Sequence, residues 1–126
     1  MTTDALKVIS NAMSELGIEY DFMERKSNPV YPYFTGEYTE SDPLTEDGLQ
    51  ECTFILHGFT RDTWLSLEEA KNKIEQYFNK VSGKTVIAES GNAVAVFYSS
   101  SLVIHTGDAE LKRIQINLTV KEWSVK

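Results

Sequence analysis

Cysteine is almost absent from this 126-residue chain. Cys52 stands alone, so no intramolecular disulfide can form, and a reducing, intracellular folding environment fits. Histidine is nearly as scarce: with only His57 and His105, a zinc site would need further ligands from that one cysteine and scattered acids. No run of roughly 18 apolar residues occurs. Met1-Thr-Thr-Asp4 has no basic region ahead of an apolar stretch, so neither secretion nor membrane spanning is expected. Cations are also short. Twelve Lys and Arg against 19 Asp and Glu give a formal net charge of −7, which disfavours non-specific nucleic-acid binding, because phosphate contacts need clustered cations.

Catalytic frames are missing too. Ser99-Ser-Ser101 lies in neither a Gly-x-Ser-x-Gly nor a Ser-x-x-Lys frame and reads as a polar bulge or turn. Gly91 and Gly107 precede no helix that could cradle a phosphate. The acids from Glu37 to Glu51 lack the spacing of a calcium loop and read as a solvated loop, with a weaker reading as a charge-complementary contact. His57 follows an apolar run and reads as a structural sheet histidine, and Cys52 as a small packed residue with an unactivated thiol. No catalytic, cofactor-binding or metal residue is assigned.

What the chain does have is patterning. At 41% hydrophobic and 25% charged residues it has ordinary globular composition, and its length suits one domain over 1–126. The terminal stretch Glu110–Trp123 alternates strictly: Ile114, Ile116, Leu118 and Val120 point one way, and Arg113, Gln115, Asn117, Thr119 and Lys121 the other. This predicts a long strand with one dry and one hydrogen-bonding face. Leu6, Ile9, Met13 and Leu16 predict a helix over 4–16, capped by Thr3 or Asp4 and stopped by Gly17. A second helix is expected from a capping box, Ser66-Leu-Glu-Glu69, with Leu67, Ala70, Ile74, Tyr77 and Phe78 as its apolar stripe. Strands are predicted at 18–24, 30–38, 51–59, 84–89, 93–98 and 102–105, with a hairpin turn at Ser90-Gly-Asn92 and an exposed loop over 41–50. Pro32 argues for an edge position of the second strand. Trp64 is expected to staple the second helix against Phe59, and Arg61 to reach Asp62 or an acidic neighbour. Strands running consecutively on both sides of one helix predict an α+β domain, a mainly antiparallel sheet with two helices packed on one face.

Three segments carry a resemblance: Val30-Tyr-Pro-Tyr-Phe-Thr-Gly-Glu-Tyr38, Gly58-Phe-Thr-Arg-Asp-Thr-Trp64 followed by Leu67-Glu-Glu-Ala-Lys-Asn-Lys-Ile-Glu75, and Leu111-Lys-Arg-Ile-Gln-Ile-Asn-Leu118. Together they resemble neck and tail-completion proteins of long-tailed bacteriophages and prophages, especially the tail terminators. The resemblance implies a terminator-like fold and a ring, usually hexameric, that caps the tail tube, stops its polymerisation and offers the surface to which the head joins. It also implies a virion protein assembled in the bacterial cytoplasm, with its own copies, a tail tube protein and a head-completion protein as partners, and neither catalysis nor a cofactor. Exposure and chemistry, rather than the family, nominate the contacts. Arg113, Gln115, Asn117 and Lys121 form one patch; Tyr31, Tyr33 and Tyr38, or the acidic loop, form its partner; Arg61 and Trp64 are further interface candidates. The rival readings are another head–tail connector or minor capsid protein, a dimeric ligand-binding domain with Tyr31, Tyr33 and Trp64 around an apolar pocket, and an enzyme built on His57, His105 and Cys52.

Overall fold

The computed structural model describes residues 1–24, 30–40 and 49–123. The first amphipathic stretch forms helix α1, Thr3–Glu15, with Ala5, Ile9, Ala12 and Met13 buried along one stripe. Its cap is Thr2 rather than Thr3 or Asp4: the Thr2 hydroxyl accepts from the Ala5 N–H at 3.2 Å. The choice is made far away in sequence. The buried carboxylate of Glu122 accepts the Thr2 N–H at 3.3 Å and the Thr2 hydroxyl as well, fixing Thr2 where the helix must begin. Gly17, at φ +71°, ends the helix, and the Ile18 N–H reaches back to the Met13 carbonyl at 2.9 Å.

Among the described residues six strands follow: β1 Glu19–Phe22, β2 Tyr33–Glu40, β3 Leu49–Thr60, β4 Lys84–Ile87, β5 Ala93–Ile104 and β6 Lys112–Trp123. They form one sheet in the order β1-β2-β3-β6-β5-β4, in which only the β1–β2 pair is parallel. The α+β class and the mainly antiparallel sheet are therefore as the patterning predicts. β2 is not an edge strand, however: β1 lies outside it, and Pro32 precedes the ladder, where its missing N–H costs nothing. The two short strands expected at 93–98 and 102–105 are one strand, β5, with a bulge between Tyr98 and Ser100 that absorbs the serine run. The expected hairpin at Ser90-Gly-Asn92 does join β4 to β5, closed by the Ala88 N–H to the Asn92 carbonyl at 2.8 Å.

The second helix, α2, spans Trp64–Tyr77 and starts earlier than the expected capping box. Its cap is Thr63, whose hydroxyl accepts the Ser66 N–H at 3.2 Å, so Ser66 lies in the first turn. Trp64 is thus the first helical residue rather than lying ahead of the cap, and it is 44% exposed.

Both helices cover the same face of the sheet. Their buried residues form one core with Phe54 and Leu56 of β3, Ile114, Ile116, Leu118 and Val120 of β6, and Val94 and Val96 of β5. Two glycines make room for aromatic rings in that layer. A β-carbon on Gly58 would come within 2.5 Å of the Phe34 ring, and one on Gly36 within 2.5 Å of the Phe54 ring. The opposite face of the sheet carries no helix among the described residues.

Candidate functional site: the open face of the sheet

Side chains alternate across a strand, so the residues that are not in the core converge on the helix-free face. On β6 these are Arg113, Gln115, Asn117, Thr119 and Lys121, all half-buried. β6 is a central strand, paired with β3 on one side and β5 on the other, so each is flanked on both sides.

They are joined into short chains of contacts. Arg113 donates from its guanidinium to Nδ1 of His57 at 2.9 Å, and Nε2 of His57 lies 3.3 Å from a carboxylate oxygen of Glu37. Because arginine can only donate, Nδ1 must accept, which leaves the proton on Nε2, facing Glu37. The Arg113 guanidinium also sits 5.4 Å over the Phe59 ring, while its Nε is buried with no hydrogen-bond partner among the described residues. Further along, Gln115 donates to Asn117 at 3.1 Å and Asn117 to Ser100 at 3.1 Å. Lys121 lies 5.5 Å over the Phe97 ring. The wet face of the sequence is thus a held array of polar groups rather than a set of free side chains.

The aromatic residues expected to form a partner patch are not brought together. Tyr33 is only 1% exposed, and its hydroxyl bonds the Asp21 carboxylate at 2.8 Å and the Glu24 carbonyl at 3.2 Å, so it offers no exposed ring. Tyr38 pairs with Phe54 on the helix-covered side and stacks on Phe22 at 6.1 Å, on the opposite face from Arg113. Tyr31 is half-buried ahead of β2. Arg61 reaches Asp108 at 3.6 Å rather than Asp62. Trp64 borders an open cavity with Ile104, His105, Thr106, Asp108 and Leu111, and neither Tyr31 nor Tyr33 lines it. Most of the acidic loop, residues 41–48, lies outside the described residues.

Cys52 and His57 point to opposite faces of β3 and cannot act as a thiol–imidazole pair: Cys52 is buried under the helices, whereas His57 faces Arg113. Burial pushes the Cys52 thiol up to about 11 from an ordinary 9.0. Burial also raises Tyr20. Both groups therefore hold their protons in the fold above the pH at which the unfolded chain releases them. The contribution of Cys52 is complete below pH 9 and declines as the pH rises towards about 11, whereas that of Tyr20 begins to decline only above about pH 10. The urea midpoint should fall across that window, and Cys52→Ala should flatten the fall; an unchanged slope in the variant would remove the thiol from the explanation.

Among the described residues no three His, Cys, Asp or Glu side chains converge as a metal site, and no helix is long and apolar enough to cross a membrane.

No protein-family model and no curated protein matches the chain. Among solved structures, a chain from the "Virion of native gene transfer agent (GTA) particle" matches with a TM-score of 0.65, covering 97% of this chain and 91% of that one at 11% sequence identity. The two chains share a fold. At that identity the likeness shows the fold alone.

Proposed function

We propose that this chain is a structural protein of a phage-like virion, acting in the neck as a tail terminator: a ring, taken as a hexamer, that caps the tail tube, stops its growth and provides the head-joining surface. The observation that carries the reading is the end-to-end fold likeness to a chain of an assembled virion particle, extending over 97% of this chain. The open face supports it, since a pre-ordered polar surface loses little side-chain entropy when a partner covers it. Its partners in this reading are further copies of itself, the tail tube protein and a head-completion protein, with Arg113, Gln115, Asn117 and Lys121 as contacts and Tyr31, Arg61 and Trp64 as outlying ones. The role is one of assembly, without catalysis.

The test is electron microscopy of particles made without the gene. Overlong tails, or heads and tails that fail to join, are expected. Particles of normal length and completeness would end the terminator reading. Full tails of normal length on unstable heads would shift the role to another connector.

A further inference from the structure

We propose that the outer edge of β5, Ser99–Ile104, is a joint at which a second copy of this chain adds a strand. The inference rests on the ring reading for the setting in which copies meet. β4 covers β5 only as far as Val96, and the Tyr98 N–H is taken by the Phe78 carbonyl at 2.7 Å. Ser99 is the bulge residue; from Ser100 onward β5 pairs with β6 on its inner side, and no described residue pairs with the outer side of Ser99–Ile104. Six residues of ladder are left open.

Natural edges are normally guarded by lysine, proline or an inward charge, because unpaired N–H and C=O groups recruit other strands. Ser-Ser-Ser-Leu-Val-Ile has none of these; its only irregularity is the bulge at its start. Two large apolar side chains on it are uncovered, Leu102 at 45% and Val103 at 48% exposure. They point to opposite faces of the sheet, Leu102 opposite Gln115 and Val103 opposite Ile114. A strand laid alongside would cover both, with main-chain bonds supplying affinity and these two side chains the register.

Charge identifies the occupant. The strands at the far margin, β1 and β2, carry Glu19, Asp21, Glu37 and Glu40 and no Lys or Arg; the Met1 ammonium pairs with Glu40, which leaves the margin acidic through the other three. β4 and β5 carry Lys84 and no acid. Beside the start of the open edge, Lys80 and Lys121 border a shallow cavity that also includes Glu51 and Phe97. The far margin has an open stretch of its own: β1 covers β2 only from Tyr33 to Gly36, so Glu37–Glu40 pair with β3 on their inner side and with no described strand on their outer side. An acidic edge on one copy therefore meets a neutral-to-basic edge on the next, a head-to-tail contact of two different patches, as a ring requires. The two open stretches are offset along the strands, so successive copies step along the strand direction, and the strands must tilt against the ring axis as in any closed sheet.

Thr39 and Ser100 are exposed, and both face the open side of the sheet. The double variant Thr39→Cys with Ser100→Cys, and each single variant, would be treated with a short bismaleimide, both as concentrated purified chain and in assembled particles. The buried Cys52 stays in place. The double variant is expected to give a ladder of linked subunits that the single variants do not, and adding Leu102→Lys is expected to remove the ladder without moving the urea midpoint. Absence of a ladder in both preparations overturns the joint. Dimers from Ser100→Cys alone overturn the head-to-tail pairing in favour of a two-fold one. A ladder from the purified chain with no chain in the particles keeps the joint and removes the virion reading.

Discussion

Gly58→Ala is expected to lower the unfolding free energy by about 3 kcal/mol, at the upper end of what overpacking a core ordinarily costs. The β-carbon would lie 2.5 Å from Cε2 and 2.7 Å from Cζ of Phe34, and 2.9 Å from Cγ2 of Ile114. Phe34 is fully buried, and Gly58 is its direct cross-strand partner, so the ring has no solvent into which to swing. If the ring clash is the cause, shortening it should relieve the strain. Phe34→Leu alone should cost about 1 kcal/mol, and the double variant should be more stable than the sum of the two losses by at least about 1 kcal/mol. Urea denaturation of the four proteins measures this. Additive losses would mean that the glycine is needed for some other reason, with Ile114 the first suspect.

Arg113→Glu should have the second largest effect, about 3 kcal/mol of stability. The guanidinium donates to His57 at 2.9 Å and lies over Phe59, and His57 in turn faces Glu37. The reversal removes a charge-assisted hydrogen bond of roughly 1.5–3 kcal/mol and a cation–π contact of about 0.5–1 kcal/mol. It also adds a second carboxylate to the half-buried site that already holds Glu37. Arg113→Met keeps the aliphatic packing over Phe59 and should lose only about half as much. The two variants also separate folding from assembly. If Arg113→Met folds but its particles fail to join, the guanidinium contributes to an interface; if it folds and assembles as the wild type does, Arg113 serves only this chain's own sheet.

Such contacts explain which parts of the molecule were legible in the residues. The strict alternation of Glu110–Trp123 predicted both faces of β6, because a period of two is a local property of any extended backbone. The stripe Leu6, Ile9 and Met13 and the stop at Gly17 likewise described α1 almost to the residue. Boundaries set by distant partners were not legible. Thr2 became the cap because Glu122 holds it, and β2 became interior because a parallel strand lies beside it. The serine run separated two apolar stretches in sequence, whereas in the sheet the bulge lets a single strand carry both.

For the candidate site the division is similar. Arg113, Gln115, Asn117 and Lys121 share a face, as the alternation requires, but the sequence does not say that the face is central, half-buried and internally bonded, since that depends on β3 and β5 being its neighbours. Nor could three nearby tyrosines reveal that Tyr33 and Tyr38 lie on opposite faces of β2 and that the first is buried. The open edge of β5 was hidden altogether, because whether a strand has a free side depends on where its neighbours stop. What the sequence determined by itself was periodicity, and with it the dry and wet sides of each element and the α+β class. Only the tertiary structure decided strand order, edge exposure and which polar groups meet, because each of these is a distance between residues far apart along the chain.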